Sequence, residues 1–288
     1  MQKLGVEDTI FRRKTSISVR GKVLDFRIPK VMGIVNVTPD SFYSGSTVNS
    51  QNALSERVKD MLLSGADILD VGGYSSRPGA DDISVQEEID RVCPAIEQTL
   101  RDHPEAIISV DTFRSEVADR ALQLGAGIIN DISGFRQDPD LPAIAANYNA
   151  PYILMHMRGT PKTMQSLTEY ENLFTEMAGY FSSKMETLRL AGVKDVILDP
   201  GFGFAKTMED NHRLLQNLDY FQFLEAPILV GISRKSMIYK KLGITPESSL
   251  NGTTALNTIG LLKGASILRV HDVKEAKEVV ELLQKDDE

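Results

Sequence analysis

The sequence predicts an α/β fold, a single (β/α)₈ barrel preceded by a short N-terminal β-hairpin. Eight short apolar runs are each followed by a helix-like pattern, and the runs do not alternate with polar residues, as expected of parallel strands buried on both faces. The chain has 288 residues, which suits one barrel of roughly 250 residues plus an extension. The alternative, an open dinucleotide-binding sheet, predicts a G-x-G-x-x-G turn after the first strand, and the residues there read NVTPD.

The first thirty residues are predicted to be an extension that contains the hairpin. Residues 1–14 form a polar lead-in with scattered charges. Residues 16–19 and 23–26 are short β-like runs around a turn-like Arg-Gly-Lys spacer. We expect this extension, residues 1–30, to cover one end of the barrel, which would occupy residues 31–288.

The barrel region is a series of units, each predicted to be a strand followed by a loop and a helix. The predicted strands are residues 31–35, 68–71, 107–110, 128–129, 152–155, 196–198, 228–232 and 267–268. The predicted helices are residues 51–64, 84–100, 115–124, 142–148, 168–191, 209–217, one starting near 236, 253–263 and 273–283. Ser115 before Glu116 is typical of a helix N-cap. Because the carboxyl ends of all barrel strands meet on one face, the residues at those ends are the candidates for a functional site.

The strand ends carry acids, amides and cations suited to one kind of ligand. In chain order these residues are Asn36, Asp70, Asp111, Asn130, Asp131, Met155, His156, Asp199, Ser233, Lys235, Arg269 and His271. Carboxylates and amides accept hydrogen bonds from ring N–H and amino groups, whereas Arg and Lys suit phosphate oxygens and carbonyls. A pocket that binds a nitrogen heterocycle at its floor and an anion at its mouth would use both kinds of residue.

Several of these residues also have a purely structural interpretation. Asp70 and Asp131 are more readily explained as caps or as ion-pair partners of a neighbouring cation. Met155 taken alone is typical of an apolar core, and His156 and His271 taken alone are typical of hydrogen-bonded loop histidines. The combination of residues, rather than any single one, favours a binding site.

Composition argues against several classes of function. A net charge of −8 argues against broad nucleic-acid binding. We expect no membrane partner, because no run of 18 apolar residues occurs and the start does not resemble a signal peptide. The single cysteine, Cys93, fits a reducing compartment, so we expect a cytoplasmic protein. Zinc-ligand spacings and a G-x-S-x-G elbow do not occur in the sequence.

Seven motifs, in order, resemble the dihydropteroate synthase family from about residue 31 to the C-terminus. They are NVTPDSF (36–42), GGYSSRPG (72–79), ISVDT (108–112), INDIS (129–133), DPGFGF (199–204), SRKS (233–236) and RVHD (269–272). The resemblance implies an enzyme of folate biosynthesis that condenses 6-hydroxymethyl-7,8-dihydropterin diphosphate with 4-aminobenzoate, giving 7,8-dihydropteroate and diphosphate. It also implies Mg²⁺ as cofactor, a homodimer, and a target for sulfonamides, which resemble 4-aminobenzoate.

The resemblance assigns roles by motif position. The pterin would be bound by Asp111, Asn130, Met155, Asp199, Lys235 and Arg269. The diphosphate would be bound by Asn36, Ser76, Arg77, Arg269 and His271, with Asn36 also the protein's contact to Mg²⁺. The 4-aminobenzoate would be bound by Phe42, Pro78, Phe204 and Ser236. The residues expected to act in catalysis are Arg77, Asp111, Lys235, Arg269 and His271.

Two loops depart from the family pattern. Ser44 stands where an Asp is common, Tyr74 where a Glu is common, and Ser76 where a Thr is common. Loss of the Asp weakens the expectation that the first loop closes over the substrates in the usual way. Two alternatives stay open: a pterin-binding paralogue without turnover, which Ser44 favours, and a methyltetrahydrofolate-dependent methyltransferase, which would not need the cations predicted for the diphosphate. Turnover gained on Ser44→Asp substitution would favour the paralogue.

Overall fold

The computed structural model describes residues 14–38, 48–75 and 82–284, which form a parallel barrel ringed by helices. The strands are β1 Ser16–Val19, β2 Lys22–Asp25, β3 Lys30–Asn36, β4 Ile68–Gly72, β5 Ile108–Asp111, β6 Ile128–Asp131, β7 Tyr152–Met155, β8 Val196–Asp199, β9 Leu229–Val230 and β10 Ile267–Val270. The helices are α1 Val48–Leu63, α2 Val85–Asp102, α3 Ser115–Leu124, α4 Leu141–Tyr148, α5 Leu173–Leu190, α6 Met208–Gln216, α7 Ser236–Leu242, α8 Leu250–Leu262 and α9 Val273–Leu283. None of these helices is long and apolar enough to cross a membrane.

Strands β3 to β10 form one parallel sheet in the order β8-β7-β6-β5-β4-β3-β10-β9. The two ends of this sheet meet, because Leu198 in β8 forms a parallel bridge with Ile228, immediately before β9. The Leu198 N–H also donates to the carbonyl oxygen of Pro227 at 2.9 Å. The predicted (β/α)₈ barrel with its N-terminal hairpin is therefore confirmed.

The barrel strands alternate inward-facing side chains with side chains that pack against the helices. A buried apolar layer fills the barrel near the amino ends of the strands. Its members from the strands are Met32, Ile68, Ile128, Ile153, Ile197, Leu229 and Ile267. Neighbours such as Leu69, Ile129 and Leu198 belong instead to the larger core shared with the helices. Because side chains repeat every two residues along a strand, the residue two positions after each layer member also faces inward.

The hairpin covers the amino end of the barrel, as expected. Its turn is formed by Arg20 and Gly21, which both have left-handed backbone angles (φ 50° and 78°) and join the paired residues Val19 and Lys22. Hairpin side chains complete the buried apolar layer; they are Ile17, Val19, Leu24 and Phe26. The division of the chain at residue 30 stays a prediction.

One predicted helix start and one predicted N-cap are wrong. Helix α5 begins at Leu173 instead of residue 168, because the Asn172 side chain accepts two backbone N–H groups of the first turn. Ser115 is the first helical residue of α3 and not its N-cap. Its N–H is bound by the carboxylate of Asp138 at 2.6 Å, a partner that is distant in the sequence. Local capping patterns therefore failed where a neighbouring loop supplied the acceptor.

Candidate active site

A second inward-facing layer, towards the carboxyl ends of the strands, carries the charged side chains. Five residues of this second layer each follow a member of the apolar layer by two positions in the sequence: Asp70, Asn130, Met155, Asp199 and Arg269. Asp111 lies beside Asn130 in the register of β5 and β6. The alternation of the strands thus turns the predicted strand-end residues towards one another over a dry apolar floor.

The guanidinium of Arg269 lies between two carboxylates. Its Nε donates to Asp70 Oδ2 at 2.6 Å, and its Nη2 donates to Asp111 Oδ2 at 2.6 Å. The Asn130 Nδ2 donates to the same Asp70 oxygen at 2.9 Å. Among the described residues, the other Asp70 oxygen, Oδ1, is buried and has no hydrogen-bond partner. Arg269 and Asn130 therefore share one Asp70 oxygen, and the second oxygen is a buried acceptor.

Asp70 takes a larger part in this cluster than the sequence indicated. It was interpreted as a cap or an ion-pair partner, and it does pair with Arg269, but within the site. An ionised carboxylate only accepts hydrogen bonds, so Asn130 must turn its NH₂ towards Asp70 and its amide oxygen elsewhere. By contrast, Asp131 caps the next loop, since it accepts the N–H of Ser133 at 2.7 Å and the hydroxyl of Tyr152 at 2.5 Å.

The loop after β8 holds the third acidic group of the site, Asp199, at the end of that strand. Asp199 Oδ1 accepts the N–H of Gly201 at 2.7 Å. Lys235 Nζ donates to the carbonyl oxygen of Phe202 at 2.5 Å and lies 4.8 Å from the centroid of the Phe204 ring. Asp199 and Lys235, both predicted to bind the pterin, are therefore connected through the backbone of this loop.

Burial shifts the pKa values of these groups towards neutrality. Burial raises the pKa of Asp111 to about 7, with Arg269 opposing the shift and Asp70 adding to it. Burial also raises the pKa of Asp199, and the charge of Lys235 opposes that rise. Burial lowers the pKa of Lys235 to about 8, with Asp199 opposing. Groups that change charge near neutral pH in a cleft are typical of functional sites.

The loops after β9 and β10 are tied together. Ser233 Oγ lies 3.0 Å from His271 Nδ1 and accepts the backbone N–H of His271 at 3.2 Å. The guanidinium of Arg234 pairs with both carboxylate oxygens of Asp272, at 3.0 and 2.5 Å. These contacts hold His271 against the loop that carries the SRKS motif.

The apolar part of the site lies next to Asp199. Met155, only 2% exposed, and the half-buried Phe204 belong to one cluster. Its other members are Tyr74, Phe113, Ile132, Met157, Met164 and Ala205. Sequence reasoning selected only Met155 and Phe204, because the others were recognisable only as apolar residues near strand ends.

Two further predicted residues lie at the rim. Asn36 ends β3 with an exposed side chain, and the half-buried Ser236 is the first residue of α7. The other predicted positions, Phe42, Ser44, Ser76, Arg77 and Pro78, lie outside the described residues.

Two buried charges near the site were not selected from the sequence. Glu88 accepts the hydroxyl of Thr112 at 2.6 Å and pairs with Arg114 at 2.9 Å, which ties α2 to the loop after β5.

Lys206 lies two residues beyond the DPGFGF motif, and its Nζ is 3.0 Å from Nδ1 of His156. This contact agrees with the interpretation of His156 as a hydrogen-bonded loop histidine. In the sequence, the only feature that points to Lys206 is its position just after the DPGFGF motif.

Known proteins match this chain over most of its length. The family model described as pterin binding enzyme matches residues 32–271. A Synechocystis dihydropteroate synthase is 47% identical over 252 residues, which cover 86% of this chain and 87% of that protein. The structure of Yersinia pestis dihydropteroate synthase with a sulfonamide drug complex has a TM-score of 0.86 and 40% identity, covering 93% of this chain and 97% of that chain. Thermus thermophilus dihydropteroate synthase in complex with 4-aminobenzoate has a TM-score of 0.83 and 36% identity, covering 93% and 97%.

Proposed function

The chain belongs to the pterin-binding enzyme family, and from this membership we propose that it acts as a dihydropteroate synthase. The reaction condenses 6-hydroxymethyl-7,8-dihydropterin diphosphate with 4-aminobenzoate and releases 7,8-dihydropteroate and diphosphate. The observation that carries the proposal is the inward-facing layer at the barrel mouth, where carboxylates, an amide and the Arg269 cation converge over an apolar floor.

The acceptors of that layer suit the hydrogen-bonding edge of a pterin. We infer that Asp111, Asn130 and Asp199 accept hydrogen bonds from the ring N–H and amino groups, and that Lys235 donates to the ring. Charge-assisted bonds of this kind are about twice as strong as neutral ones. Met155 would pack against the flat face of the ring.

The chemistry requires little proton transfer before the bond to the leaving group breaks. The bond between the pterin methylene carbon and the diphosphate oxygen breaks, and its electron pair leaves with the diphosphate. The electron-rich pterin spreads the positive charge left on that carbon, and the amine nitrogen of 4-aminobenzoate then forms the new bond and loses a proton. Arg269 and His271, together with Arg77, would stabilise the charge that develops on the diphosphate. The protein's part is positioning and electrostatics.

We also propose Mg²⁺ as the cofactor, held by Asn36 and the diphosphate. Mg²⁺ usually keeps several waters and binds few protein oxygens together with substrate phosphates. Asn36, an exposed residue at the strand end on the rim of the barrel, carries an amide oxygen, which is a hard donor of this kind. Mg²⁺ would neutralise charge on the leaving diphosphate. Ser76 would complete the diphosphate contacts.

The second substrate would lie between the loops and α7. Ser236, with the N–H groups at the start of that helix, would bind the carboxylate of 4-aminobenzoate, which helix N-termini favour. Phe204 would form one wall of this pocket, and Phe42 and Pro78 would complete it.

We further propose a cytoplasmic homodimer. The single cysteine supports a reducing compartment. The net charge of −8 supports small-molecule substrates instead of nucleic acid. The homodimer is proposed from family membership alone. Light scattering of the purified protein should give twice the monomer mass.

The direct test of function is an assay with pterin diphosphate, 4-aminobenzoate and MgCl₂, with dihydropteroate detected by mass spectrometry. We expect product only when both substrates are present. Pterin binding without product would favour the non-catalytic paralogue. Consumption of methyltetrahydrofolate in place of the pterin diphosphate would favour the methyltransferase.

Lys235→Ala substitution should weaken pterin binding by about 2–4 kcal/mol, because it removes a buried charged donor opposite the ring. A calorimetric titration with 6-hydroxymethyl-7,8-dihydropterin measures this loss. Lys241→Ala, which changes an exposed lysine on helix α7 just after Lys235, is the matched control and should bind normally. Unchanged affinity in Lys235→Ala would reject the assigned role.

A further inference from the structure

Lys206 is a buried lysine that the proposed chemistry does not use. Its side chain is only 6% exposed. Its Nζ donates to the carbonyl oxygens of Gly201 at 3.1 Å and Phe204 at 3.0 Å, and lies 3.0 Å from His156 Nδ1. The His156 carbonyl oxygen is more distant, at 3.4 Å. An ammonium group has three N–H donors, so the three shorter contacts occupy all of them.

The backbone around these carbonyls is held in an unusual conformation. Gly201, Gly203 and Ala205 have left-handed φ angles of 68°, 82° and 48°, at alternate positions of the loop. A Cβ on Gly201 would lie 2.1 Å from the carbonyl oxygen of His156, so the loop is pressed against the end of β7. A left-handed non-glycine residue such as Ala205 persists only where surrounding contacts impose it. Lys206 supplies such contacts from inside the loop.

The same loop positions several groups of the proposed site. The Gly201 N–H holds the Asp199 carboxylate, and the Phe202 carbonyl oxygen accepts from Lys235. The Phe204 ring lies 4.8 Å from Lys235 Nζ. Lys206 binds the carbonyl groups of Gly201 and Phe204, which lie at the two ends of the segment that makes these contacts. A shift of the loop would therefore move groups that face both substrates.

Burial and the nearby Asp199 act in opposite directions on the charge of Lys206. Burial lowers the pKa of Lys206 to about 7, while the nearby Asp199 opposes the shift. Burial and the Lys206 charge both hold the pKa of His156 well below its ordinary value, so Nδ1 is available as an acceptor. The ammonium is thus held by carbonyl oxygens and a ring nitrogen behind Asp199.

We propose that Lys206 is a positioning residue for substrate binding. Its ammonium fixes the carbonyl groups of the loop after β8, so that Asp199, Lys235 and Phe204 keep the geometry that receives both substrates. The inference rests on the proposed synthase function. Lys206 itself would touch neither substrate.

The test compares Lys206→Met and Lys206→Arg with the wild type. Met retains the length of the side chain without its donors, and Arg retains charge and donors with a different geometry. Lys184→Met is the matched control, since Lys184 packs over the Phe135 ring at 3.7 Å, away from this loop. Unfolding temperature, kcat and the KM for each substrate are measured for every protein.

We expect Lys206→Met to fold and to raise KM by roughly tenfold to a hundredfold, because small misplacements of binding groups cost factors of this order. Lys206→Arg should recover part of the loss, and Lys184→Met should keep the wild-type KM values. A folded Lys206→Met protein with both KM values unchanged would overturn the proposal. So would failure of both Lys206 variants to fold, which a purely structural lysine predicts.

The wild-type assay separates this proposal from the proposed function. If the wild type makes no dihydropteroate, the synthase function fails, whereas calorimetric titration with 6-hydroxymethyl-7,8-dihydropterin still tests Lys206. Weaker pterin binding by Lys206→Met than by Lys184→Met would then support the positioning role, and equal binding would overturn it.

Discussion

Arg269→Met substitution should abolish most turnover and destabilise the fold at the same time. The guanidinium donates to both Asp70 and Asp111, and the Asp70 side chain is fully buried. Breaking a buried ion pair by removing one partner costs about 3–5 kcal/mol, because the remaining charge is left uncompensated. Loss of a cation that faces the leaving diphosphate should lower kcat by a factor on the order of 10²–10³.

The pH dependence of this destabilisation identifies its cause. The pKa of Asp111 is already raised to about 7 by burial, and Arg269 is the main group that opposes the rise. Without Arg269 that pKa should climb further, so protonation relieves the unpaired charge at low pH. A group whose folded pKa is raised stabilises the fold at low pH and loses that contribution as pH rises through the folded pKa. Urea unfolding should therefore show a smaller loss at about pH 6 than at about pH 8.

Arg234→Met provides the matched control for the fold. Arg234 also pairs with a carboxylate, that of Asp272, but its side chain is 33% exposed against 19% for Arg269. Solvent screening makes partly exposed pairs weaker, so the control should lose less stability and show little pH dependence. Equal losses in the two variants, or a loss in Arg269→Met that is independent of pH, would contradict this account of the cluster.

The positions of the site residues were largely predictable, whereas their partners were not. An apolar run that ends in a polar residue, repeated along the chain, is enough to predict a barrel with its site at the strand ends. The contact between Asp70 and Arg269 joins residues 199 positions apart, and it depends on β4 and β10 both lying beside β3 in the sheet. Sequence spacing carries no information about that pairing, so the sequence predicts only a cap or an ion pair with a neighbouring cation for Asp70.

Loop conformation was the second limit on prediction. The Lys206 side chain donates to the carbonyl groups of Gly201 and Phe204. The loop that carries these carbonyl groups has left-handed backbone angles at Gly201, Gly203 and Ala205. The glycines predicted a tight turn, but a left-handed Ala205 is imposed by tertiary contacts. The helix over 115–124 was predicted correctly, but the N-cap role of Ser115 was not, since the acceptor for its N–H, Asp138, comes from another loop.

The pH profile of kcat/KM should be a narrow bell near neutrality. Burial raises the pKa of Asp111 to about 7, so this acceptor becomes protonated, and useless to a ring N–H, as pH falls through that value. Burial lowers the pKa of Lys235 to about 8, so the cation is lost as pH rises through that value. The profile of kcat/KM reflects groups of the free enzyme. Its acidic limb should therefore lie near the raised value of Asp111 and not near the ordinary carboxyl pKa of about 3.9.

Single substitutions assign the two limbs. Asp111→Asn, which cannot titrate, should remove the acidic limb and lower the plateau, and Lys235→Met should do the same for the alkaline limb. The diphosphate of the substrate titrates near the same range, so binding of 6-hydroxymethyl-7,8-dihydropterin, which lacks it, is measured in parallel. If the acidic limb of both the rate and the binding profiles lay near the ordinary carboxyl value, Asp111 would be ionised throughout the neutral range. Arg269 would then outweigh burial in setting the pKa of Asp111, and the assignment of the acidic limb to a raised Asp111 pKa would be rejected.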